Sequence, residues 1–169
     1  IRNIPLHSQI LFLPYKASMW DSMESVYLAA VKDPSCEALV MPITYFERTE
    51  DLSLGEAINE RDKFPSSIPL LEEIFPFEEE RPDVIYIHNP YDDWNYVSSV
   101  HPRYYSENLK KFTENLVYIP YFGTMGLCTW GDDILSAYGH MDYMVVQNEE
   151  HKRSLPELAQ KKAIILGSP

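Results

Sequence analysis

The chain has 169 residues, 45% hydrophobic and 24% charged, enough for one domain with a proper core. A net charge of −12 argues against nucleic acid or an anionic membrane as partner of the bulk surface, since both recruit basic residues. No apolar run approaches the ~20 residues of a membrane span.

QILFLPY (9–15) opens the pattern as a continuous apolar run of strand length. Runs of this kind, rather than alternating ones, fit strands buried on both faces of a parallel sheet. SMWDSMESVYLAAVKD (18–33) places Trp20, Met23, Val26, Tyr27, Ala30 and Val31 on one helical stripe, and Ser18 with Asp21 three residues on reads as its N-terminal cap. EALVMPITYF (37–46) is the second strand. Residues 48–82 interrupt the rhythm: they are acidic and carry Pro65, Pro69, Pro76 and Pro82. Such a length is unusual for a plain connection. GEAINER and SIPLLEEIF within it are expected as a hairpin, a short helix or a flap over one sheet edge.

DVIYIHN (83–89) is the third strand, SENLKKFTEN (106–115) a short helix with Ser106 as its cap, and LVYIPYF (116–122) the fourth strand. GDDILSAYGHM (131–141) reads as a helix stopped by Gly139, and DYMVVQN (142–148) as the fifth strand. NEEHKRSLPELAQKK (148–162) begins with acids and ends with lysines, as a helix dipole prefers; Pro156 either breaks it or starts a second helix. KAIILGS (162–168) closes the series. Strand and helix alternating at this spacing predict right-handed crossovers and a Rossmann-like α/β domain over 1–169, doubly wound, with a mainly parallel sheet of about six strands.

In such sheets ligands bind outside the carboxyl ends of the strands. Tyr15 and Lys16 end the first strand, and Thr44, Tyr45 and Glu47 the second. His88, Asn89, Tyr91, Asp92 and Asp93 end the third, Tyr121, Gly123 and Thr124 the fourth, and Gln147 and Asn148 the fifth. His88 is the candidate general base, or else a strand-end histidine bonded to backbone. Lys16 precedes a helix start, where anions bind readily, and otherwise is a solvated lysine. Asp92 and Asp93 either face the ligand or cap a turn; Trp94 and Tyr96 either pack or present a sugar platform. The HNPYDDWN spacing matches no metal motif, so no metal is expected. Cys36 and Cys128 match none either and are expected as reduced, buried thiols. G-x-G-x-x-G, P-loop, G-x-S-x-G and H-E-x-x-H signatures are all missing, and no cofactor is expected. A response-regulator-like or flavodoxin-like domain would need an acidic pocket or a flavin loop, and the first strand ends in Tyr-Lys instead.

The strings LFLPYKASMWDSMESVYLAA (11–30), DVIYIHNPYDDWNYVSSVHPRYYSENLKKFTENLVYIPYFGT (83–124), DYMVVQNEEHKRSL (142–155) and AIILGSP (163–169) resemble a divergent branch of the CDP-glycerol glycerophosphotransferase family. Its members build teichoic-acid-type polymers of the bacterial cell envelope. The resemblance implies the N-terminal half of a glycosyltransferase B fold, the half that contributes to acceptor binding, with a nucleotide-binding C-terminal domain as its missing partner. It implies a hydroxyl or polyol-phosphate acceptor, and the rim residues Lys16, Tyr15, Asn89, Tyr91, Asp92, Tyr121, Gly123, Thr124 and Gln147 are expected to bind it because they share one edge of the sheet. It also implies a cytoplasmic protein, peripheral to the inner face of the membrane through other parts of the full protein. A chain opening at Ile1 and closing on Gly167-Ser168-Pro169 is expected of such a half, cut where the interdomain linker begins. One departure counts against a simple transfer of function. The family's HGTP-type segment corresponds to PYFGT (120–124), where Phe122 stands in the place of the proposed catalytic histidine. The competing expectation is a non-catalytic domain that binds a sugar-phosphate or a protein partner.

Overall fold

The computed structural model describes residues 7–121 and 136–167. In chain order they form β1 (Ser8–Leu13), α1 (Asp21–Lys32), β2 (Cys36–Val40), β3 (Tyr45–Arg48), β4 (Leu54–Ile58) and α2 (Phe77–Glu80). There follow β5 (Val84–Ile87), β6 (Ser98–Val100), α3 (Ser106–Leu109) and β7 (Asn115–Tyr118). The chain ends with α4 (Ser136–His140), β8 (Tyr143–Val146), α5 (Glu149–Ser154), α6 (Glu157–Lys162) and β9 (Ala163–Ile165).

The apolar runs pair as a six-stranded sheet, all parallel, in the order β2-β1-β5-β7-β8-β9. This is the Rossmann-like, doubly wound α/β architecture expected. The chain steps outward from β1 to β2, then crosses back to β5 and steps steadily the other way. With right-handed crossovers, that reversal puts helices on both faces. On one face Trp20 and, from α1, Met23 and Tyr27 pack with Phe12, Val40, Val117 and Val145. On the other, Leu109 of α3, Tyr138 of α4 and Ala159 of α6 pack with Leu11, Leu13, Ile85, Ile87, Leu116 and Met144. Successive strand residues thus serve opposite cores, which is why the runs are unbroken in hydrophobicity rather than alternating.

Four local expectations are corrected. The 37–46 run is not one strand. Met41 and Ile43 still donate to Phe12 and Pro14, but Pro42 has no N–H to add, and at Thr44 the chain leaves the sheet. Tyr45 then starts a second, antiparallel sheet, β4-β3-β6. Its β3–β4 hairpin is the form taken by the first part of the 48–82 excursion. The hairpin closes tightly at Gly55, where a Cβ would stand 2.8 Å from the Glu47 carbonyl oxygen. Further on, Leu71 N–H bonds Val40 O at 2.8 Å, and Leu70 lies beside Val40 at the edge strand β2.

Ser18 caps nothing, because a 3₁₀ turn over Ala17–Met19 precedes α1 and Trp20 takes the cap position. Ser106 begins α3 rather than capping it, and Tyr105 holds the cap position without a side-chain bond. Cys36 is half-buried, while Cys128 lies outside the described residues. The 148–162 segment divides at Pro156 into α5, capped by Asn148 Oδ1 accepting from His151 N–H at 2.8 Å, and α6. Among the described residues no helix is long and apolar enough to cross a membrane.

Candidate functional site

The sheet reverses direction between β1 and β5, and ligand crevices form outside the strand tips at such a point. β1 runs through Leu13 and Pro14 into Tyr15 and Lys16; β5 runs into His88 and Asn89. Strand alternation puts His88 on the same face as Tyr86, which packs against the α1-side core. The neighbour it meets there is Ser22 of α1, whose Oγ lies 3.3 Å from His88 Nδ1. The Ile119 carbonyl oxygen, just past β7, lies 3.4 Å from the same nitrogen.

His88 is fully buried. The rings of Tyr15 and Tyr121 meet it edge-on, with centroids at 6.4 and 6.3 Å, and their phenols share a hydrogen bond. Burial pushes the imidazole down to about 4, against the pull of the Ile119 carbonyl and the Asp21 charge. The ring is therefore neutral at pH 7, and among the described residues its Nε2 has no hydrogen-bond partner. Tyr118 is buried in the same group, its pKa raised far above the ordinary phenol value, first by burial and then by Tyr138, Tyr91, Tyr121 and Tyr15. Of these phenols, Tyr15 and Tyr121 are the two whose rings meet His88.

Lys16, half-buried, follows Tyr15 at the edge of this group. Its Nζ lies 4.8 Å from the ring centroid of Tyr45 and 5.9 Å from that of Tyr15. Among the described residues its ammonium makes no ion pair and no hydrogen bond. Beside it Glu60, from the excursion, accepts from Ala17 N–H at 2.9 Å, from Tyr45 Oη at 3.3 Å and from Lys63 Nζ at 3.0 Å.

Tyr15, Lys16, His88, Tyr91 and Tyr121 thus come together as the sequence suggests, and Asn89 joins them through its Oδ1, which accepts from Tyr91 N–H at 3.1 Å. Asp92 is committed elsewhere. Its carboxylate accepts from Ser106 N–H at 2.8 Å and from Ser106 Oγ at 2.7 Å, so its place as an acceptor ligand gives way to holding the start of α3. Gln147 follows β8, two strands beyond β5, and its N–H donates to His151 Nδ1 at 3.3 Å. Gly123, Thr124 and Phe122 lie outside the described residues.

Trp94, Tyr96 and Val97 are exposed rather than packed in the core. Their loop is held by Arg48, whose guanidinium donates to the carbonyls of Leu52, Asp93 and Asn95 at 2.7, 2.9 and 3.1 Å. Among the described residues no three His, Cys, Asp or Glu side chains come together as a metal site would require.

No family model, curated protein or solved structure matches the chain. The site is therefore read from its own chemistry. Two participants escaped the sequence. Ser22 is one of several small polar residues on α1 and carries no motif. Glu60 comes from the excursion, whose path no periodicity reveals.

Proposed function

We propose that this chain is the acceptor-side half of a transferase that moves a polyol-phosphate or sugar group from a nucleotide donor to a hydroxyl acceptor, in the manner of the CDP-glycerol glycerophosphotransferase family. The nucleotide site belongs to a second domain of the same protein, and the work is the synthesis of a cell-envelope polymer at the cytoplasmic side of the membrane.

One observation carries the reading: Lys16 presents an ammonium without a carboxylate partner among the described residues, at the point where the strand order reverses, backed by two phenol rings. A cation so placed attracts a phosphate, and the surrounding phenols and Asn89 suit a polyol. In the transfer, the acceptor oxygen bonds to the donor phosphorus as the nucleoside monophosphate leaves, and His88 is the group offered to the hydroxyl proton. The complete burial of His88 and the Phe122 substitution favour the second reading, a domain that binds a sugar-phosphate without catalysis.

Turnover by the full-length protein separates the two. With CDP-glycerol as donor and a glycerol phosphate oligomer as acceptor, Lys16→Ala is expected to lower kcat/KM about 10- to 100-fold, the range of one charge-assisted hydrogen bond. Unchanged turnover in that variant overturns the role of Lys16. Absence of turnover by the unaltered protein with every nucleotide donor supports the binding reading.

A further inference from the structure

Among the described residues His88 has two acceptors at one ring nitrogen and no partner at the other. The Ser22 hydroxyl has a single proton, and at 2.8 Å from the Met19 carbonyl oxygen it donates that proton there. Ser22 Oγ can therefore face Nδ1 of His88 only as an acceptor, at 3.3 Å. The Ile119 carbonyl, at 3.4 Å, can only accept. In the neutral ring Nδ1 must carry the proton, because both of its neighbours demand one. Nε2 is then a bare lone pair, buried and without a donor among the described residues.

Buried acceptors in proteins are satisfied with few exceptions, and an exception calls for an explanation. Here the orphan lies beneath the reversal point, flanked by Tyr15 and Tyr121. A charged donor such as an ammonium would lose its hydration on entering so enclosed a place. A neutral hydroxyl would not carry that penalty. Ser22 is not itself poised as a nucleophile, since its proton is held by Met19 rather than by the imidazole.

We infer that Ser22 is a positioning residue that holds His88 in the Nδ1–H tautomer, so that Nε2 accepts a hydrogen bond from one hydroxyl of a bound polyol. This rests on the acceptor-binding reading above and adds to it the atom that meets the hydroxyl and the residue that orients it. Entry of the ligand parts the phenols of Tyr15 and Tyr121, which otherwise close over the ring.

Long-range proton–nitrogen spectra of the ¹⁵N-labelled chain test the inference with two probes, inorganic phosphate and glycerol 3-phosphate. At pH 7 the His88 signals are expected to show Nδ1 protonated and Nε2 bare. Glycerol 3-phosphate is expected to shift the Nε2 resonance saturably, while inorganic phosphate perturbs Lys16 and leaves Nε2 in place. Ser22→Ala is expected to mix the tautomers and weaken glycerol 3-phosphate about tenfold, with phosphate affinity unchanged and Ser22→Thr restoring the loss. A protonated Nε2, or a Nε2 resonance indifferent to glycerol 3-phosphate while phosphate still perturbs Lys16, overturns this inference and leaves the acceptor reading intact. If neither probe perturbs Lys16 or His88, both fall. Should Ser22→Ala fail to fold, the spectra of the unaltered chain decide alone.

Discussion

Burial sets the chemistry of His88 before any ligand arrives. An imidazole held at about 4 in the folded chain has an unfolded value near 6.5. Between those values the unfolded state binds a proton that the folded state refuses, so stability rises with pH across the window and is lost as pH falls from 6.5 toward 4. At about 1.4 kcal/mol per pH unit, the full loss is on the order of 3 kcal/mol. His88→Gln removes this proton linkage. Thermal unfolding from pH 7 to pH 4.5 is therefore expected to show the unaltered chain losing stability relative to the variant as acid is added. Parallel curves for the two would remove His88 as the source. His88 and Lys16 were legible as candidates because strand ends are recognisable in sequence. The burial of one and the partial exposure of the other were not, since both depend on which side chains close over the tips from other elements.

Helix starts show the same division between local pattern and tertiary partner. Ser106 was expected to cap α3, yet the carboxylate of Asp92, 14 residues earlier, accepts from its N–H and its hydroxyl. Asp92 adopts a left-handed backbone, φ 50°, a conformation that aspartate and asparagine tolerate better than most residues. Burial raises its pKa, against the two bonds from Ser106 that lower it. Asp92→Ala would leave the buried Ser106 groups without their acceptor and put alanine in a strained backbone. An expected loss of about 2–4 kcal/mol should appear as a lower urea midpoint. Asp92→Asn retains an oxygen for Ser106 and avoids burying a charge, so it should lose less; an equal loss in both would sink the capping role. A distant cap of this kind leaves no trace in local spacing, whereas the break at Pro156 was readable because proline fixes its own φ and has no N–H to donate.

At the scale of the whole molecule, the order β2-β1-β5-β7-β8-β9 places the reversal between β1 and β5, where open α/β sheets form their ligand crevices, with α1 on one face and α3, α4 and α6 on the other. The −12 charge acts on the entire surface. Self-repulsion of that size weakens the compact state and is screened by salt, so raising sodium chloride from about 0.05 to about 0.5 M is expected to raise Tm by a few degrees. A falling Tm would show that local ion pairs such as Lys110–Asp142, 2.7 Å apart, outweigh the net repulsion. The amino-acid sequence alone determined that a parallel, doubly wound sheet forms, since unbroken apolar runs separated by helical stripes have few other ways to bury both faces. It also determined that polar residues gather at the strand tips. Only the tertiary structure decided that the chain leaves one sheet at Thr44 and starts another at Tyr45, that Asp92 serves α3, and that Ser22 meets His88. Each of those outcomes joins residues far apart in the chain, and the energy that selects them exists only once the elements have packed.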